Sequence, residues 1–141
     1  MRERKVTWGP VQQATCLIVE DSEFDSKKLT RVINKSLGKM KVEIATTLRS
    51  ARRVLSQAEM SLILLDNNLP DGLGANFALE LSRDARLANI PVILVSDWPS
   101  PFMWEKAASA GVFYVLNKGE FDGRYVHEAL KLGLKRRREM N

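Results

Sequence analysis

"LILLDNNLPDGLG", residues 62–74, carries four apolar residues directly into Asp66, then two asparagines, a proline, a second aspartate and two glycines. An unbroken apolar run of strand length, with no polar residue alternating, suits a strand covered on both faces, as in a parallel sheet. A charge at the end of so buried a strand asks for a function. Aspartate also forms turns and caps helices, and Pro70, Asp71, Gly72 and Gly74 are ordinary turn residues. Asp66 alone therefore decides nothing, and the rest of the chain has to be read around it.

Runs of the same kind recur at Cys16–Val19, Val42–Ala45, Val92–Val95 and Val112–Leu116, which with Leu62–Leu65 makes five candidate strands. Helical spacing fills the gaps. Leu29, Val32, Ile33 and Leu37 share one face, with Gly38 as a stop, and Leu48, Ala51, Leu55 and Ala58 share another. Phe77, Ala78 and Leu81 mark a third helix, which ends before Pro91. Met103, Ala107 and Ala108 mark a fourth, ending at Gly111, and Val126, Ala129, Leu130, Gly133 and Leu134 mark a fifth. Five strand–helix pairs in one short domain imply an α/β fold: a flavodoxin-like, doubly wound, five-stranded parallel sheet with five helices. Right-handed crossovers make 2-1-3-4-5 the natural strand order. The expected organisation is a leader over residues 1–13, one domain over 14–134 and a basic helical tail over 135–141.

With 141 residues, 45% hydrophobic and 28% charged, the chain has the profile of a single soluble globular domain. No apolar run approaches the roughly 20 residues that cross a bilayer, and residues 1–15 lack the apolar core of a secretion signal. The lone Cys16 reads as a small buried hydrophobe. A cytoplasmic protein with no membrane contact is expected. The net charge of +5 owes much to the run Lys135–Arg138. Basic residues there meet the carboxyl end of a helix dipole, and no interleaved aromatic or motif points to direct contact with nucleic acid. His127 falls on the polar side of the last helix and is expected at the surface.

In open sheets of this kind ligands bind beyond the carboxyl ends of the strands. There stand Glu20 and Asp21 after the first strand, Asp66 after the third, Ser96 after the fourth, and Asn117 and Lys118 after the fifth. Three close carboxylates repel one another unless a hard cation joins them, and Mg²⁺ (or Mn²⁺) takes such oxygen ligands. Asp21 and Asp66 are expected to bind it directly and Glu20 through water, with the backbone carbonyl of Asn68 completing the set. One Asp66 oxygen then stays free as a nucleophile for phosphoryl transfer. Lys118 would share the developing charge and Ser96 would hydrogen-bond a phosphoryl oxygen.

"CLIVEDSEFD", "LILLDNNLPDGLG", "VILVSDW" and "VFYVLNKGEFDG" together resemble, in order and spacing, the receiver domains of bacterial two-component response regulators, over roughly residues 14 to 134. The resemblance implies that Glu20 and Asp21 hold Mg²⁺, that Asp66 is the phosphoacceptor, and that Ser96 and Lys118 engage the phosphoryl group. It implies a sensor histidine kinase or histidine phosphotransfer protein as donor. The response would lie on the face of the fourth helix, fifth strand and fifth helix, which contacts a downstream target protein and offers a surface for a homodimer. Three positions depart from the family pattern. Lys118-Gly119 replaces a common Lys-Pro, so a freer loop is expected. Val115 occupies the place of the switch aromatic, with Tyr114 facing the other side of the sheet. Trp98 stands two residues past the serine, where its bulk is expected to shield an acyl phosphate from water.

A stand-alone phosphorylation-dependent signalling switch, rather than an enzyme with turnover, is the expected function, with at most weak self-phosphorylation and self-dephosphorylation. The rivals are an aspartate-nucleophile phosphatase and a phosphorylation-independent scaffold on the same fold. The first would want an acid two residues past Asp66, where Asn68 cannot donate a proton. Neither G-x-x-x-x-G-K-[ST] nor G-x-G-x-x-G occurs, which argues against a P-loop or dinucleotide site.

Overall fold

The structure, a computed structural model, describes residues 14–140, with Leu37 and residues 137–140 described by backbone alone. The leader drawn at residues 1–13 and the final residue of the tail lie outside the described residues.

Strands and helices alternate: β1 (Thr15–Val19), α1 (Glu23–Leu37), β2 (Lys41–Ala45), α2 (Leu48–Gln57) and β3 (Leu62–Asp66) come first. The short strands β4 (Asn68–Leu69) and β5 (Gly72–Leu73) follow, then α3 (Gly74–Ser82), β6 (Val92–Ser96), α4 (Pro101–Ser109), β7 (Tyr114–Asn117) and α5 (Gly123–Met140). Local chemistry sets the boundaries. Ser22 caps α1 by accepting from the Asp25 N–H, and Gly38, at φ 49°, ends it. Thr47 and Ser50 form a reciprocal capping box on α2, and Ser100 caps α4 with Pro101 just inside.

The main sheet is parallel throughout, in the order β2-β1-β3-β6-β7. This is the 2-1-3-4-5 order, because the β4–β5 pair is a separate antiparallel hairpin built from the turn residues after Asp66. The continuous apolar runs are explained by two cores. Leu17, Val19, Ile63, Leu65, Leu94 and Val115 face one, shared with α2, α3 and α4. Cys16, Ile18, Leu62, Leu64, Ile93 and Leu116 face the other, shared with α1 and α5. Successive residues of a strand point to opposite faces, so a strand between two helical layers must be apolar at every position.

The last strand begins at Tyr114 instead of Val112. Gly111 adopts φ 70°, and the Val112 N–H turns back to the Ala107 carbonyl at 3.0 Å, which keeps Val112 in the helix-ending turn. On α4 the apolar face is Met103 and Ala107, whereas Ala108 is exposed. Ala58 likewise is exposed, at the end of α2.

Candidate functional site

Every strand of the main sheet except β2 ends at or beside a group on a common rim. Glu20 follows β1 and is 1% exposed; Asp66 closes β3 at 5%; Ser96 closes β6 at 1%. Asp66 is in register with Val95, so Ser96 lies one step further along the neighbouring strand. Oxygens of Glu20, Asp21 and Asp66 all lie within 4.8 Å of one another, with Asp21 exposed between its buried partners. Lys118 arrives from the far side, in a 3-10 turn over Lys118–Glu120. Its Nζ lies 2.7 Å from Glu20 Oε1, 2.9 Å from Asp25 Oδ2, 3.5 Å from Asp66 Oδ1 and 4.0 Å from Asp97 Oδ2. The rim expected from the sequence is thus assembled, with Glu20, Asp21, Asp66 and Lys118 in one cluster.

Placement rests on backbone anchors. The Ser22 N–H donates to Glu20 Oε2 at 3.1 Å. Asn67 is buried behind Asp66, and its side-chain oxygen accepts from the Ala75 N–H at 3.0 Å while its carbonyl accepts from Gly74. Gly74 lies so close to the Asp66 carbonyl that a Cβ there would overlap it. Asp71, read as a turn residue, also accepts from the Leu48 and Arg49 N–H groups at 2.8 and 3.0 Å. The hairpin is thereby fastened to the amino end of α2, whose free N–H groups favour an anion. Asn68 begins the hairpin with its side chain exposed, and its backbone hydrogen-bonds the Asp66 carboxylate.

The loop after β7, expected to be freer, is held. Asn117 and Glu120 form a reciprocal capping box around Lys118, and Asn117 Nδ2 donates to the Asp97 carbonyl at 2.9 Å. Val115 and Tyr114 face opposite cores, as the alternation requires, and Tyr114 meets Tyr125 edge-on at 5.1 Å. His127 is exposed. Trp98 differs from the expectation of a shield. Its backbone N–H donates to Ser96 Oγ at 3.2 Å, but its side chain is 86% exposed, so no packing holds the indole over the carboxylates.

Electrostatically the rim is strained toward protonation. Burial pushes the Glu20 carboxyl up to about 7, opposed by the neighbouring Lys118 ammonium and by the Ser22 N–H. Burial also raises Asp66 above its ordinary value, against the pull of Lys118. Burial alone would lower Lys118, but Glu20, Asp25 and Asp66 outweigh it and hold the ammonium charged above its ordinary value. Glu20 Oε1 is buried and has no well-directed hydrogen bond; the Lys118 ammonium at 2.7 Å pairs with it by charge alone. A buried oxygen in that condition, beside two more carboxylates and open to solvent through Asp21, fits the demands of a hard divalent cation.

The chain matches the family described as response regulator receiver domain over residues 16–131. A two-component response regulator from Legionella pneumophila is 28% identical, with a TM-score of 0.71 over 85% of this chain and 95% of that one. Two further structures attest the fold alone. The Mn(2+)-bound form of response regulator Rcp1 is 24% identical, with a TM-score of 0.70 over 85% of this chain and 88% of that one. A CheY-like receiver domain protein from Methanospirillum hungatei JF-1 is 20% identical, with a TM-score of 0.75 over 92% of this chain and all of that one. No curated protein matches the chain. Among the described residues no helix is long and apolar enough to cross a membrane. With the family match spanning most of its length and the strand-end carboxylates meeting Lys118 at one rim, the chain belongs to the response regulator receiver domain family.

Proposed function

We propose that the chain is a phosphorylation-dependent switch in which Asp66 accepts a phosphoryl group from the phosphohistidine of a sensor kinase or phosphotransfer protein. An Asp66 oxygen attacks phosphorus, the P–N bond breaks, and the imidazole leaves with the bonding pair. The product is an acyl phosphate. Lys118 stabilises the charge on the transferred group, and Ser96 donates its hydroxyl to one of the new oxygens. Glu20, Asp21, Asp66 and the Asn68 carbonyl would hold Mg²⁺ or Mn²⁺. Such a cation neutralises charge on the phosphoryl oxygens when bound.

The observation that carries this reading is the approach of a partly buried ammonium to within 3.5 Å of a buried Asp66 oxygen at a strand end. The receiver is assigned to residues 14–134, with a leader before it and a basic helical tail after it, and acts in the cytoplasm. Its altered surface, formed by α4, β7 and α5, regulates a downstream protein and offers a face for a homodimer. Incubation with Mg²⁺ and acetyl phosphate, followed by intact mass measurement, tests the chemistry. The mass should rise by one phosphoryl group, and the gain should vanish in Asp66→Asn and under chelation. Rapid multiple turnover would point to a phosphatase, and an unchanged mass to a scaffold.

A further inference from the structure

Lys118 serves more carboxylates than the reaction needs, and its directed hydrogen bond goes to Asp25. The Nζ donates to Asp25 Oδ2 at 2.9 Å, a charge-assisted length, while Asp66 Oδ1 stands off at 3.5 Å. An ammonium has only three donors, so a bond to Asp25 is one withheld from Asp66. Asp25 is held in place for this by its helix. It lies in the first turn of α1, its N–H bound to Ser22 Oγ at 3.2 Å, and its carboxylate reaches a residue 93 positions away. Among the described residues Lys118 is its only ion-pair partner.

We propose that Asp25 is a positioning residue: it detains the Lys118 ammonium in the resting state and yields it when a phosphoryl group arrives on Asp66. This rests on the reading of Asp66 as the acceptor. Glu20 and Asp25 differ in what they lose if the lysine turns away. The Glu20 side chain is 1% exposed and would be left a bare buried charge, whereas that of Asp25 is 24% exposed and is rehydrated. The lysine therefore leaves Asp25 and keeps Glu20. Detention favours the resting state, so the Asp25 carboxylate sets how readily Asp66 is phosphorylated.

The test compares wild type, Asp25→Asn and Asp25→Glu for the rate of labelling by acetyl phosphate with Mg²⁺. Asp25→Asn should label about five-fold faster, the effect of losing one partly exposed charge-assisted hydrogen bond. Asp25→Glu, which restores the carboxylate, should return most of the way to the wild-type rate. A second measurement needs no phosphodonor: the ¹³Cε resonance of Lys118 should shift in Asp25→Asn and much less in Asp25→Glu. A wild-type chain that takes no phosphoryl group overturns the acceptor reading and this one with it. Normal wild-type labelling beside an Asp25→Asn rate that is unchanged or slower overturns this one alone. An unmoved Lys118 resonance does the same.

Discussion

The two ends of the parallel sheet are made of opposite materials. Past the carboxyl ends of the strands lie Glu20, Asp66 and Ser96, all buried, with Lys118 among them. Past the amino ends, Ala14, Ser61, Pro91, Leu130, Gly133 and Leu134 border a largely apolar cleft of about 200 Å³. The strands between are the same, so the fold does not require charges at either end. Burying them opposes folding unless each has a partner, and at the carboxyl end the partner is one ammonium shared among several acids. The amino end settles for contact between hydrocarbon surfaces. A receiver therefore concentrates its electrostatic tension where the chemistry is and leaves the other rim relaxed.

Removing the shared ammonium should break the contrast most severely. Lys118→Met leaves Glu20 and Asp66 buried without a counter-charge, and urea unfolding at pH 7 without divalent ions should show a loss of about 4 kcal/mol. Close packing around the acceptor comes next. In Gly74→Ala the new methyl would run into backbone, the Asp66 carbonyl and the Asn67 Cα, and the same titration should show a loss of about 3 kcal/mol.

The pH response sharpens the same contrast. Glu20 is raised from 4.5 to about 7 in the folded chain, so between those values the folded state holds a proton that the unfolded state has released. Stability from this group is complete below pH 4.5 and declines as pH rises to about 7. The expected loss is about 2 kcal/mol across the window, recovered on adding Mg²⁺ and flattened in Glu20→Gln. Lys118, also raised, holds its charge throughout that range and loses it only above its ordinary value. The smallest effect belongs to the relaxed end. In Gly133→Ala the methyl would meet the Pro91 ring at 3.0 Å, but the helix gains by losing a glycine. A net loss of about 1 kcal/mol, unaffected by Mg²⁺, is expected.

What the sequence made legible follows from distance along the chain. Each of the five strands is announced by a local run, and Glu20, Asp21, Asp66, Ser96 and Lys118 are found by standing next to one. Strand order came from handedness and was right because the extra hairpin lies outside the sheet. The long-range contacts of Asp25 and Asp71 were hidden for a common reason. Read locally, an acid in the first turn of a helix is a dipole partner and an acid between Pro70 and Gly72 is a turn residue. Their further roles depend on Lys118 and on α2, 93 and 22 to 23 residues away, and no local pattern encodes those meetings. The bulk of Trp98 suggested a cover for the same reason: size is legible in one residue, whereas direction is set by the loop.

That outward direction gives the molecule an optical use. The Trp98 indole stands in water while its own amide is tied to the Ser96 hydroxyl. If Ser96 turns to a phosphoryl oxygen on Asp66 as proposed, that tie is disturbed, and Trp98 emission should change on labelling with acetyl phosphate; Trp98→Phe should remove the change while Asp66 remains reactive.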